Sequence, residues 1–220
     1  MGDGAALDTD VLLKISAYRL SGELVSLLEP HGRPGTLGLT HLIAGRQLAR
    51  KRGIRDHAGA AAELAALLAR LERLEPDEDE IALAAELADR AQALSLPLDA
   101  GEAQLAAITA LRGLPMMVTG DKRALEALAG MLTGEVDRSA LLGRLVCFEQ
   151  VVAAIAAVIG EEAVRDRICA EPDTDGAMRL ACSCGRTGWD PAQLHEACGS
   201  YVGAVAAVAG DLLRAGSLLA

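Results

Sequence analysis

Two short apolar segments that each run into acidic residues constrain the fold of this chain most. Residues 6–13 have the pattern of a buried strand that continues into a helix, with Asp8 and Asp10 where the two meet. Residues 114–119 form a second apolar segment, and Asp121 follows it at the start of another helical pattern. Strands that alternate with helices are typical of an open α/β sheet, in which ligands bind at the carboxyl ends of the strands. The sequence therefore predicts that these acids meet at one edge of a sheet.

A third acid, Glu102, lies on the predicted helix that precedes the second apolar segment. Asp99 comes three residues earlier, so the two have the spacing of a capping box, in which Glu102 serves only to begin the helix. The other interpretation is a metal ligand, because carboxylates on neighbouring elements suit Mg²⁺ or Mn²⁺. The local pattern leaves both interpretations open.

The composition limits the core to small aliphatic side chains. The 220 residues include four aromatic ones, which are Tyr18, Phe148, Trp189 and Tyr201. A core of Ala, Leu and Val favours closely packed helices. The length fits one domain, or one domain with a smaller subdomain.

The formal net charge of −10 disfavours a protein that binds nucleic acid over its whole surface. Affinity for a phosphate backbone comes mainly from Lys and Arg. An acidic protein can still carry a basic patch, and one basic run is present. It is either a solvated helix face or such a patch, and it consists of Arg46, Arg50, Lys51, Arg52 and Arg55.

The sequence predicts a soluble cytoplasmic protein without membrane contact. Its amino terminus lacks the positive region and apolar block of a signal peptide. The apolar runs at 151–159 and 201–209 are shorter than the ~20 residues that span a bilayer. Five cysteines, an odd number, do not favour a disulfide framework in such a protein. Buried packing is the expected role, and the alternative is a zinc site formed by Cys169, Cys182, Cys184 and Cys198.

Three short motifs resemble those of PIN domains. Leu7-Asp8-Thr9-Asp10 resembles the opening motif, a strand that ends in Asp-Thr and a polar residue. Gly101-Glu102 resembles the central acidic helix, and Thr119-Gly120-Asp121 resembles the last motif, Thr-x-Asp at a strand end. The motifs follow the family's order within about residues 1–130. The resemblance implies a three-layer α/β/α domain over residues 1–132, with a short, mostly parallel sheet.

The resemblance also implies a metal-dependent ribonuclease, with a toxin-type nuclease as one option. The catalytic residues, which would hold one or two Mg²⁺ or Mn²⁺ ions, are then Asp8, Glu102 and Asp121. Three auxiliary positions follow from the same motifs. Asp10 would assist, Thr119 would orient the last acid by hydrogen bonding, and Lys122 stands next to that acid. The implied partners are an RNA substrate and a protein inhibitor.

The sequence departs from the family at two places. The family has a further Glu between its first two motifs, and Ile43 occupies that position here. His41 lies nearby, and we expect it to be a packing or surface residue, while Glu63 is an acid that would substitute from elsewhere in the chain. A fourth acid after the last motif is replaced by Lys122 and Arg123. These departures keep a second reading open, a PIN-like interaction or scaffold protein with a reduced metal site.

A third interpretation comes from the opening motif, the residues that follow the first predicted strand. Asp8-Thr9-Asp10-Val11 fits the nucleophile motif of haloacid-dehalogenase-type phosphatases, with Asp8 attacking phosphate and Asp10 as acid and base. That fold needs a closely spaced acidic pair on a later strand, which the sequence does not supply.

Residues 133–220 predict an all-helical C-terminal subdomain. A helix is expected over residues 137–159, which are apolar on nearly every face and therefore buried. The last segment, residues 201–219, is rich in Ala, Val and Gly, and we expect that it forms a homodimer contact.

Overall fold

A computed structural model describes residues 4–132, 138–216 and 218. Its centre is a five-stranded sheet of very short strands. In chain order these are β1 (Ala6–Leu7), β2 (Gly35–Leu37), β3 (Glu72–Leu74), β4 (Met117–Thr119) and β5 (Leu145–Cys147).

All strand pairs of the sheet are parallel, and their spatial order is β3-β2-β1-β4-β5. The chain therefore builds outward from β1 in one direction and then returns to the other side of β1. At such a reversal the connections leave β1 and β4 toward opposite sides, which opens a crevice at the carboxyl ends of these strands.

Helices cover both faces of the sheet. In chain order they are α1 (Thr9–Ala17), α2 (Ser21–Leu28), α3 (Gly38–Arg50), α4 (His57–Arg70), α5 (Glu78–Ala93), α6 (Ala100–Arg112), α7 (Lys122–Met131), α8 (Phe148–Ile159), α9 (Glu161–Ala170), α10 (Gly176–Ala181) and α11 (Ala192–Ala209). Short 3₁₀ turns at Glu29–His31 and Gly210–Leu212 follow α2 and α11.

The alternation of side chains along the strands separates two buried clusters. Met117 belongs to one cluster and its neighbour Val118 to the other, as expected for strand residues that point to opposite faces. Leu145 and Val146 divide in the same way on β5. The predicted α/β class with helices on both faces is therefore confirmed. Each cluster also contains residues from before and after the predicted division at 132.

The predicted all-helical C-terminal subdomain is wrong, because β5 lies inside it. Leu145–Cys147 pairs with β4 along its whole length, and only then does α8 begin. A three-residue apolar run cannot be assigned to strand or helix from its periodicity, so neighbouring β4 decides it. The predicted start of this helix at Asp137 lies outside the described residues, as does the end of the predicted last helix at 219.

A second strand was hidden at the end of a predicted helix. The sequence favours a helix over residues 59–74, but α4 ends at Arg70 and β3 follows at Glu72–Leu74. Pairing with β2 in three successive positions outweighs the helix propensity of these residues.

The prediction that the cysteines are buried packing residues is correct for three of them and wrong for two. Cys147, Cys182 and Cys198 are free and buried, as packing residues should be. Cys169 and Cys184 form a disulfide, with their Cα atoms 5.2 Å apart. An odd count of cysteines says nothing about proximity, which depends on how the end of α9 packs beside the segment after α10.

A helix that crosses a bilayer needs about 20 mostly apolar residues. In the part of the chain that the structure describes, no helix combines that length with sufficient apolar character.

Candidate active-site cleft

A cleft of about 710 Å³ opens at the carboxyl ends of β1 and β4, where the strand order reverses. The amino-terminal end of α6 and the inner face of α3 complete its walls. Its lining is strongly acidic, with Arg123 as a cation on the rim and five carboxyl groups from Asp8, Asp10, Asp99, Glu102 and Asp121. All three predicted metal ligands therefore line one cleft.

Asp8 lies at the base of the cleft, directly after β1. Its amide donates a hydrogen bond to the carbonyl of Val118 over 3.0 Å, which fixes it beside β4. Its side chain makes no capping bond to α1, although the residue occupies the N-cap position. Burial, together with the nearby charge of Asp10, raises the pKa of Asp8 to about 6. This carboxyl group is thus held where its negative charge is poorly solvated.

Glu102 forms the predicted capping box with Asp99. The Asp99 amide donates to Glu102 Oε2 over 3.0 Å, and the Glu102 amide donates to Asp99 Oδ1 over 2.8 Å. The Glu102 side chain also faces the cleft and is only 5% exposed. Burial raises its pKa to about 8, and the charges of Asp99, Asp8 and Asp121 act in the same direction. Glu102 therefore both caps α6 and lines the cleft.

Asp121 caps α7 and is held by its neighbour on the helix. Its carboxylate accepts from the Arg123 amide over 2.8 Å and pairs with both sides of the Arg123 guanidinium, at 3.1 and 2.7 Å. These contacts hold the pKa of Asp121 below its usual range. Asp121 is therefore ionised, and Arg123 already neutralises it.

Thr119 links the two strand ends. Its hydroxyl oxygen accepts a hydrogen bond from the Asp121 amide over 3.1 Å and donates to Asp8 Oδ2 over 3.4 Å. The resemblance implies that this residue orients the last acid. In the structure it bonds to the backbone of that acid and to the side chain of the first one.

Asp10 lines the cleft but is already neutralised by two lysines. Its carboxylate lies 2.7 Å from Lys14 Nζ and 2.9 Å from Lys51 Nζ, and these cations lower its pKa. Lys14 continues to Asp175, 2.6 Å away, near the start of α10. A side chain at Gly120 would approach Asp10 Oδ2 to 2.6 Å, so the turn after β4 needs glycine beside this ion pair.

Lys122 points away from the cleft. Its ammonium group lies 3.5 Å from Glu126 on the same helix and 5.9 Å from the centre of the Tyr201 ring on α11. It is not among the residues that line the cleft.

Helix α3 forms the wall opposite α6. Ile43, at the position of the missing family acid, lies on this wall, with Thr40 and Gln47 beside it. Neither His41 nor Glu63 is part of the described lining. Asp99 is the cleft acid that the sequence identified only as a helix cap. The available signal was its place two residues before Gly101-Glu102, at the same helix end.

The donor chemistry of the cleft fits a hard divalent cation. Carboxylate oxygens are the ligands that Mg²⁺ and Mn²⁺ prefer, and crowded, buried carboxyl groups gain most from a positive ion. Among the described residues, however, no group of three His, Cys, Asp or Glu side chains is arranged closely enough to hold a metal ion. The Asp121 carboxylate is instead paired with Arg123, 2.7 Å away.

Comparisons with protein-family models, with curated proteins and with solved structures give no match to this chain.

Proposed function

We propose that the protein is a Mg²⁺- or Mn²⁺-dependent RNA phosphodiesterase with a PIN-like fold. One observation carries the proposal. Three acids that are far apart in the sequence, Asp8, Glu102 and Asp121, line one cleft at the reversal point of a parallel sheet. Two of them have a raised pKa because they are buried near like charges. Such an arrangement is costly for folding alone and is typical of functional sites.

Asp8 and Glu102 are the residues that would hold the cation, with Asp121 joining them when it leaves Arg123. A bound cation would activate a water molecule and stabilise negative charge on the phosphate under attack. Thr119 keeps Asp8 in place through its hydrogen bond. Arg123, once released from Asp121, is at the rim where it can donate two hydrogen bonds to two oxygens of one phosphate group.

The deciding experiment is cleavage of end-labelled single-stranded RNA with Mn²⁺. The native protein should cleave, EDTA should abolish cleavage, and Asp121→Asn should reduce the rate by about 100-fold or more. Asp79→Asn, at an exposed position on α5 outside the cleft, removes the same charge and serves as the matched control. Equal cleavage by the native protein and Asp121→Asn would identify the activity as a contaminant and overturn the proposal.

A second candidate function is a PIN-like interaction or scaffold protein without activity. Its support is Ile43, an apolar side chain on the cleft wall where the family has an acid. The Asp121–Arg123 pair adds to this, because it fills one ligand position with a cation of the protein itself. If this candidate is correct, the protein should fold correctly and should not cleave RNA with any metal ion.

A phosphatase that uses Asp8 and Asp10 has less support. Its acid and base must give up a proton near neutral pH. Lys14 and Lys51 instead hold the pKa of Asp10 below its usual range.

A further inference from the structure

Residues 30–55, which include helix α3, form the longest acid-free part of an acidic chain. Between Glu29 and Asp56 there is no acidic residue, although the whole chain contains 31. The same interval contains six Lys and Arg residues, which are Arg33, Arg46, Arg50, Lys51, Arg52 and Arg55. This segment therefore carries a net positive charge within a chain whose net charge is −10.

This segment continues the cleft wall. Ile43 and Gln47 line the cleft from α3. Because an α-helix has 3.6 residues per turn, Arg50 lies on the same face as these two, one turn beyond Gln47, and Arg46 lies beside it. The end of α3 is fixed to the cleft by Lys51, whose ammonium group lies 2.9 Å from Asp10 Oδ1.

Three arginines on or directly after α3 have no acidic partner among the residues that the structure describes. Arg46, Arg50 and Arg52 are exposed and form no ion pair with any residue in the described ranges. We call them the α3 arginine row. Other arginines of the protein do pair with carboxylates, for example Arg70, Arg112, Arg138 and Arg179.

We infer that the α3 arginine row binds the phosphates of single-stranded RNA and guides one phosphodiester into the cleft, an inference that rests on the proposed function. Arg46 and Arg50 are four residues apart, or about 6 Å along the helix, which is close to the spacing of neighbouring phosphates in an extended strand. The cleft that this row leads to has a volume of about 710 Å³. Aromatic side chains for base stacking are scarce, so binding should depend on charge and be insensitive to sequence.

The test is fluorescence anisotropy of a labelled, unstructured RNA oligonucleotide in EDTA, titrated at several salt concentrations. The triple variant Arg46→Gln, Arg50→Gln and Arg52→Gln should bind at least about 10-fold more weakly at low salt. Its plot of log affinity against log salt should be less steep by about 2, since each phosphate contact on single strands contributes about 0.7. An RNA of scrambled sequence should behave in the same way.

The matched control is the triple variant Arg70→Gln, Arg179→Gln and Arg186→Gln. It lowers the net charge equally at exposed positions that do not line the cleft, and it should keep the native affinity and salt dependence. An equal loss in both triple variants would overturn the inference, because net charge would then explain binding. The absence of RNA binding by the native protein, or an unchanged α3 variant, would overturn it as well.

Binding in EDTA separates this inference from the proposed function. RNA binding that depends on the α3 arginine row, without any cleavage in Mn²⁺, would support the inference and reject the phosphodiesterase. Cleavage with unchanged kcat/KM in the α3 variant would support the enzyme and reject the inference.

Discussion

The neighbouring helices α5 and α6 begin with the same motif and differ in what surrounds it. At α5, Asp77 and Glu80 exchange hydrogen bonds of 2.9 Å in both directions. At α6, Asp99 and Glu102 do the same at 2.8 and 3.0 Å. Both glutamates are buried, at 1% and 5% exposure. The local structure of the two helix ends is therefore nearly identical.

The electrostatic surroundings of the two glutamates are opposite. Arg112 meets Glu80 with two hydrogen bonds of 2.6 and 2.8 Å, and the pKa of Glu80 is lowered. Arg123 on the rim interacts electrostatically with Glu102 but forms no hydrogen bond to it among the described residues, and burial near other acids raises the pKa of Glu102 to about 8. The comparison teaches that a capping box explains the position of a buried acid but not its charge. Among the described residues Glu102 has no direct ion pair like that of Glu80 with Arg112, and this difference makes the cleft a candidate metal site.

Removal of Arg112, the cation that pairs with Glu80 at the start of α5, should have the largest effect on stability. Arg112→Met leaves Glu80 buried without its partner, which should lower the free energy of unfolding by about 3 kcal/mol. Urea denaturation monitored by circular dichroism measures this. The double variant Arg112→Met, Glu80→Gln should recover part of the loss, since it removes the stranded charge. A loss below about 0.5 kcal/mol in the single variant would show that the two helix ends are not electrostatically different.

Binding of a divalent metal ion beside Glu102, at the start of α6, should have the next largest effect on stability. Mn²⁺ at 100 times its dissociation constant should stabilise the native protein by about 2.7 kcal/mol, which raises Tm by about 5–10 °C. Glu102→Gln should reduce this shift by more than half, because it removes one charged ligand. Glu80→Gln lowers Tm in both conditions but should keep the full shift. Equal shifts in all three proteins would place the metal outside the cleft.

The pH dependence of stability should distinguish the two glutamates in the absence of metal. Glu102 binds a proton more tightly in the folded protein than in the unfolded chain, because folding raises the pKa of Glu102 from an ordinary 4.5 to about 8. The stability that this bound proton contributes is therefore lost as pH rises from about 4.5 to 8. Glu102→Gln, which retains an oxygen for the Asp99 amide, should exceed the native stability by on the order of 2 kcal/mol at pH 8.

The measurement is urea unfolding in EDTA at pH 5 and pH 8. At pH 5 the native protein and Glu102→Gln should be nearly equal in stability. Glu80→Gln should be destabilised at both values, because the lowered pKa of Glu80 keeps its pair with Arg112 intact throughout this range. A Glu102→Gln effect that does not change with pH would contradict the raised pKa.

Removal of the caps should have the smallest effect. Asp77→Ala and Asp99→Ala each lose one cap, which costs about 1 kcal/mol. Asp99→Ala also removes a negative charge that disfavours ionisation of Glu102. Above pH 8 it should therefore be less destabilising than Asp77→Ala by about 0.5 kcal/mol. Equal losses in matched denaturation curves would show that Asp99 acts on the cap alone.

Local patterns in the sequence predicted the helix ends and the strand-end acids well. The capping box at Asp99 and Glu102, the strand before Asp121 and the packing of Cys147 follow from neighbours within a few residues. The strands β3 and β5 were missed, since three-residue segments depend on pairing with β2 and β4. The Cys169–Cys184 disulfide was missed for the same reason, because it joins segments that only packing brings together.

The sequence by itself determined which acids follow strands, which residues begin helices and where positive charge accumulates. It also fixed the α/β class, because spacing along the chain controls local hydrogen bonding and hydrophobic periodicity. Only the tertiary structure decided the charge of each acid. Asp8 and Asp10 are two residues apart, yet the pKa of Asp8 is raised and that of Asp10 is lowered. Burial of Asp8 and the approach of Lys51 to Asp10 depend on how distant elements pack, whereas Lys14 reaches Asp10 from the next turn of the same helix.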